Sequence, residues 1–266
     1  EYHSRILAQK YTARQLISFA SVVATKAFDE TVDVDELMQD TEKNLFELSQ
    51  KNMKQDYSHV EPVVNEAIRI LQKAAENKGE LTGIPTGYAK LDDMTAGWQA
   101  SDLVIIAGRP AMGKTSFALS LAKNIAVDYQ RPIAFFSLEM NNVQLANRLM
   151  SNVCEIEGKK ILNGQLDAEE WKRLDANVGR LANSPIYVDD TPAMSIFELR
   201  TKARRLVREK NVQVIMIDYL QLMNANGARF GSRQEEVSTI SRSLKGLAKE
   251  LNIPILALSQ LNRTVE

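Results

Sequence analysis

Leu103-Val104-Ile105-Ile106-Ala107 runs into Gly108-Arg109-Pro110-Ala111-Met112-Gly113-Lys114-Thr115, followed by Ser116. The stretch from Gly108 to Thr115 completes a G-x-x-x-x-G-K-[ST] pattern. The apolar run predicts a buried strand entering the turn. Phe117, Leu119, Leu121, Ala122 and Ile125 predict a helix leaving it. Between a strand and a helix, the two glycines let the backbone curl until successive N–H groups point inward at phosphate oxygens. The helix N-terminus behind them adds a partial charge of roughly +0.5. Lys114 can then reach the β- and γ-phosphates of ATP, and the Thr115 hydroxyl can hold Mg²⁺. Residues 108–116 are therefore expected to cradle a nucleotide; a merely structural turn would have no use for a Lys-Thr pair at the helix start.

Outward from the loop the pattern repeats. Strands are expected at 103–107, 132–137, 186–189, 212–218 and 253–258, and helices at 115–128, 142–153, 168–180, 195–210 and 235–251. Ser195 and Glu198 have the spacing of a capping box. Alternation of this kind predicts an α/β fold with a mostly parallel sheet covered on both faces, whose ligands sit at the carboxyl ends of the strands. Those ends carry polar residues. After Ile133-Ala134-Phe135-Phe136 come Ser137-Leu138-Glu139, where a carboxylate can polarise water attacking a γ-phosphate. Val214-Ile215-Met216-Ile217 delivers Asp218, the pattern of a Walker B residue that holds Mg²⁺ directly or through water. Ile255-Leu256-Ala257-Leu258 ends in Ser259-Gln260, and Gln260 can touch the γ-phosphate and register its loss.

Before residue 81 the chain reads differently. Ala13, Leu16, Ala20, Val23 and Ala27 form one helical stripe, and Asp33 with Glu36 opens a second helix carrying Leu37, Thr41, Leu45 and Leu48. Residues 1–55 are thus expected to be a helical hairpin, too small to be stable without a partner surface. Residues 56–80 read as a linker whose short helix bears Val64, Ile68, Leu71 and Ala75, either a docking helix or an ordinary packing helix. Residues 81–266 hold the α/β domain.

The net charge of −1 advertises no nucleic acid, although a local basic lining can hide in a neutral total. A single cysteine, Cys154, excludes a disulfide framework or a zinc ribbon and reads as a small buried side chain. His3 and His59 are isolated, so the expected metal is the Mg²⁺ that accompanies nucleotide. No apolar run is long enough to span a membrane and no signal peptide is evident, so the expected compartment is the cytoplasm and no membrane partner is expected. The chain starts without Met and inside a helical pattern, which reads as a fragment.

Gly83-Ile84-Pro85-Thr86-Gly87 with Leu91-Asp92 and Gly97, then the phosphate loop and Phe136-Ser137-Leu138-Glu139-Met140, resembles the RecA-like ATPase core. Ile217-Asp218-Tyr219-Leu220-Gln221-Leu222-Met223, Ile240-Ser241-Arg242-Ser243-Leu244-Lys245 and Ala257-Leu258-Ser259-Gln260-Leu261-Asn262-Arg263 resemble the bacterial replicative helicases of DnaB type. That resemblance covers nearly the whole chain. It implies a homohexamer that hydrolyses ATP at subunit interfaces, translocates 5′→3′ on single-stranded DNA, and works with a primase and a helicase loader. It carries Lys114, Glu139 and Gln260 over as catalytic, residues 108–116 as nucleotide-binding, and Thr115 and Asp218 as Mg²⁺ ligands. The linker helix would dock on a neighbouring ATPase domain. DNA contacts in the family partly follow the Walker B strand, here Asn224–Gln234 with Arg229 and Arg233, a stretch that also reads as a plain solvated loop. The family's arginine finger would lie beyond Glu266, so this fragment alone is expected to bind nucleotide and hydrolyse it poorly. Two other readings stay open: a RecA-type recombinase-like ATPase, which leaves the hairpin unexplained, and a non-catalytic collar or scaffold.

Overall fold

The computed structural model describes residues 2–29, 31–34, 37, 38, 40, 41, 44, 45, 59–76, 81–224 and 232–261. The chain divides into two compact units, one from the residues up to 78 and one from 79 onward.

In the first unit α1 spans Tyr2–Ala27. Asp29 closes the turn after it by accepting from the Thr31 N–H (3.0 Å) and hydroxyl (2.7 Å). The described residues between 34 and 45 are helical, and Lys26 reaches Asp40 at 3.2 Å, tying the second helical stretch back to the first. Glu36 and Leu48 lie outside the described residues. The half-buried face of α1 carries Thr12, Gln15, Phe19 and Val23, whereas Ala13, Leu16 and Ala20 are exposed. The expected stripe is thus rotated by about one residue, because the large Phe19 ring sets the face and two alanines do not. α2 spans Val60–Glu76, a turn longer at its start than its apolar stripe suggests, with Pro62 in the first turn where no N–H is needed. Val64, Ile68 and Leu71 are exposed along it.

In the second unit α3 (Ala89–Thr95) precedes β1 (Leu103–Gly108), and α4 (Lys114–Lys123) leaves the phosphate loop. There follow β2 (Ile133–Ser137), α5 (Asn142–Cys154), α6 (Gly158–Asn163), α7 (Ala168–Ala182) and β3 (Ile186–Asp189). α8 (Ile196–Lys210), β4 (Val214–Asp218), a 3₁₀ turn (Leu220–Leu222), α9 (Arg233–Leu251) and β5 (Ile255–Gln260) complete it. The strands form one sheet in the order β1-β5-β4-β2-β3, parallel throughout.

Every residue of β2 and β4 is buried, and period-two alternation divides their side chains between two cores. Phe136, Ile215, Ile217 and Ile255 pack with Leu199 of α8 and Ile240, Leu244 and Leu247 of α9. Ile133, Phe135, Val214 and Met216 pack with Leu119, Leu121 and Ala122 of α4 and Leu145 and Leu149 of α5.

Differences from the expected elements have local causes. Pro254 cannot donate to a ladder, so β5 starts after it and ends two residues later, bringing Ser259 and Gln260 into the strand. The helix expected over 115–128 is α-helical to Lys123 and becomes a π turn at Asn124–Asp128. There the Asn124 amide donates to the Thr86 carbonyl (3.1 Å). Ser195 accepts from the Glu198 N–H at 3.1 Å, but Glu198 turns forward to Lys202 (2.9 Å), so only half of the expected capping box forms. Reciprocal boxes occur instead at Asn141/Gln144 and Asp167/Glu170.

Candidate active site

The phosphate loop follows β1 and bends through left-handed positions at Ala111 (φ 62°) and Gly113 (φ 81°), the second of which asks for glycine. Lys114 folds back so that its Nζ donates to the carbonyls of Gly108 (3.0 Å) and Arg109 (3.1 Å). The Thr115 hydroxyl donates to Asp218 Oδ2 at 2.8 Å. Asp218 sits at the end of β4, 1% exposed, joined to Tyr219 by a cis peptide. Burial pushes its carboxyl above the usual aspartate range, and the charge of Glu139 adds to this; the Thr115 hydroxyl, Lys114 and Arg148 pull the other way.

Glu139 is presented by a turn that β2 builds for it. The Leu138 N–H donates to the Asp218 carbonyl (2.8 Å), extending the β2–β4 ladder by one step. The buried Ser137 hydroxyl donates to the Met140 carbonyl (2.7 Å), which bends the chain and leaves Glu139 exposed above the sheet. Gln260, in register with Gly108 across β1 and β5, completes the wall. Lys114, Thr115, Ser116, Glu139, Asp218 and Gln260 thus line one cleft of ≈ 310 Å³, with Pro110, Ala111 and Gly113 from the loop. Met112 stands at the tip of the loop, 74% exposed.

Three further residues of this region were not foreseen. Arg148 of α5 lines the cleft beside Glu139; as one Arg on an amphipathic helix it carries no sequence signal beyond its place three residues after the buried Leu145. Tyr219 lines the cleft as well. Gln221 hydrogen-bonds to the end of β5, a contact that only the tertiary structure creates. A larger cavity of ≈ 650 Å³ adjoins the cleft between α4, α5 and α6, sharing Ser116, Glu139 and Arg148 with it.

Of the two residues expected to meet DNA, Arg229 lies outside the described residues. Arg233 is at the first turn of α9, where its guanidinium bonds to the carbonyls of Gln221 and Met223 and to the Glu236 carboxylate. The Gly83–Gly97 motif lies apart from the cleft lining. Buried Asp92 accepts from the N–H groups of Thr86 (2.8 Å) and Gly87 (3.2 Å), and the motif clasps the end of α4 through Asn124. Among the described residues no cluster of metal-ligating side chains and no helix long and apolar enough to cross a membrane occurs.

Known proteins share this arrangement. Residues 83–266 match the family described as DnaB-like helicase C terminal domain. The chain is 41% identical over 266 residues to "Replicative DNA helicase DnaC" of Bacillus subtilis (strain 168) and 40% identical over 266 residues to "Replicative DNA helicase DnaB" of Geobacillus stearothermophilus. In both cases the match covers all of this chain and 59% of the relative, so the chain spans about three fifths of their length. Among solved structures, "The Structure Of A DnaB-Like Replicative Helicase And Its Interactions With Primase" superposes with a TM-score of 0.75 at 31% identity, covering 99% of this chain and 60% of that one. A second solved structure, of an isolated ATPase domain, gives a TM-score of 0.72 at 34% identity, covering 79% of this chain and 74% of that one. A five-stranded parallel sheet with a phosphate loop, two strand-end carboxylates and a strand-end Gln, matched over this length, places the chain in the DnaB-like helicase family, whose C-terminal, nucleotide-binding domain it carries.

Proposed function

We propose that this chain is the motor portion of an ATP-dependent replicative DNA helicase, a homohexameric ring that moves 5′→3′ on single-stranded DNA and unwinds duplex at the replication fork. The observation that supports it most is the meeting of Lys114, Thr115, Glu139, Asp218 and Gln260 in one cleft at the carboxyl edge of a parallel sheet. ATP lies with its phosphates on residues 108–116. Lys114 leaves the carbonyls of Gly108 and Arg109 for the β- and γ-phosphate oxygens, where its charge offsets what develops in transfer. Exposed Glu139 orients the attacking water and takes its proton, giving ADP and phosphate. Gln260 contacts the γ-phosphate and loses that contact after cleavage.

The residues present fit Mg²⁺. A hydroxyl and a buried carboxylate 2.8 Å apart are a hard-oxygen pair, and the elevated carboxyl of Asp218 marks a charge that lacks a cation. Thr115 would hold the ion directly and Asp218 directly or through water; when bound, Mg²⁺ neutralises charge on the β- and γ-phosphate oxygens. Residues 1–55 belong in this reading to a helical collar. α2 lays its exposed stripe of Val64, Ile68 and Leu71 on the ATPase domain of a neighbouring copy. Arg229 contacts the DNA backbone, and the ring works in the cytoplasm with a primase and a loader.

The test is strand displacement on a forked duplex with a free 5′ tail, using the full-length protein. Unwinding that disappears in Lys114→Ala, with ATP turnover down about 10²-fold or more, supports the helicase. Intact ATP turnover with no unwinding would overturn it in favour of a recombinase-like ATPase.

A further inference from the structure

The last residues of β5 are held in an unusual way. β5 pairs with β1 as far as Gly108↔Gln260, but with β4 only as far as Ile217↔Ala257, because β4 ends at Asp218 and the chain turns away. On that side the peptide groups around Gln260 have no strand partner among the described residues. The side chain of Gln221 takes the strand's place. Its Nε2 donates to the Gln260 carbonyl (3.0 Å) and to the Ser259 hydroxyl (3.0 Å), and its Oε1 accepts from the Gln260 N–H (3.2 Å). A primary amide offers the same donor and acceptor as a peptide group, so Gln221 continues the sheet by one rung.

The backbone of Gln221 is fastened in turn. The Arg233 guanidinium donates to the carbonyl of Gln221 and to that of Met223 (3.3 Å) and pairs with Glu236 one turn on in α9. Met223 and Arg233 stand on either side of the stretch 225–231, so one planar cation joins both flanks of it to the residue that grips Gln260. Guanidinium is suited to this, since its N–H fork can serve two carbonyls and a carboxylate in one plane.

We propose that Gln221 and Arg233 form a strap that couples the position of Gln260 in the nucleotide cleft to the root of the 225–231 stretch, so that nucleotide and single-stranded DNA affect each other's binding through it. Both are positioning residues. The inference rests on the helicase reading above, in which Gln260 contacts the γ-phosphate and the stretch around Arg229 contacts DNA. A shift of Gln260 when the γ-phosphate leaves is carried through its hydrogen bonds to the Gln221 side chain and through the Gln221 carbonyl to α9.

The experiment measures the affinity of the full-length protein for a labelled oligo-dT strand, once with a non-hydrolysable ATP analogue and Mg²⁺ and once with ADP and Mg²⁺. The parent protein should show a ratio of the two dissociation constants of at least about 5. In Gln221→Ala and in Arg233→Ala that ratio should fall below about 2, and the double variant should fall no further. A purely structural role would weaken both affinities alike and keep the ratio, which overturns the strap. Gln221→Glu guards against loss of folding: it retains the acceptor for the Gln260 N–H but puts a carboxylate against the Gln260 carbonyl, so it too should lose the ratio while melting near the parent temperature. A parent that binds DNA equally with both nucleotides overturns the coupling alone. A parent that binds no DNA with either overturns the helicase reading.

Discussion

At the scale of single residues, the cleft side chains that would meet phosphate and metal are engaged in protein contacts that a ligand must replace. Thr115 and Asp218 hold each other at 2.8 Å, and the charge of Glu139 acts on the same carboxyl. Asp218→Asn should therefore remove the dependence of ATP affinity on Mg²⁺: titration with and without EDTA should separate two curves for the parent and give a single curve for the variant. Turnover should fall by about 10²-fold or more. Cys154 is buried at the end of α5, and burial pushes its thiol up, a shift that the nearby Arg173 charge only partly opposes. Folded protein should resist alkylation by iodoacetamide near neutral pH, whereas protein in denaturant should react at once, making this thiol a reporter of unfolding.

At the scale of elements, the sequence patterns that proved informative are those whose period matches a buried face. β2 and β4 are continuous apolar runs because both of their faces are covered, and their ends fell within two residues of expectation. α1 was less legible because its half-wet face is set by one large ring rather than by a stripe. α3, α6 and the 3₁₀ turn are too short to show a period, so nothing in the sequence marked them. The Gly83–Gly97 motif proves to be a clasp. A Cβ on Gly87, whose φ is 78°, would lie 2.5 Å from the Asn124 amide nitrogen, so Gly87→Ala should cost about 1–3 kcal/mol, read as a lower melting temperature with the phosphate-loop chemistry untouched. On α2, Ile68→Asp should leave the monomer's stability unchanged, since that side chain is exposed, and should lower the oligomer's mass in light scattering if the stripe docks on a neighbour.

At the scale of the whole molecule, the candidate site was legible because strand-end polarity follows directly from the order of residues, while the sheet order that brings those ends together is supplied by the fold. Nothing local announces that Gln221 faces Gln260 or that Arg148 overlooks Glu139, since both arise from contacts between distant segments. That sheet order has a further consequence. β1, the strand that carries the phosphate loop, stands at the margin, paired among the described residues with β5 alone. The Asp102 and Gly108 carbonyls accept from Ile255 and Leu261, so by the two-residue period the amides of Val104 and Ile106 face β5 and those of Leu103, Ile105 and Ala107 face outward. In this chain the outward amides should exchange with deuterium well ahead of their neighbours, a sawtooth of protection along a single strand. Lateral stiffness at the loop then comes from one side, so its hinge behaviour is that of a cantilever clamped along β5, free to give in the plane of the sheet when a triphosphate seats itself.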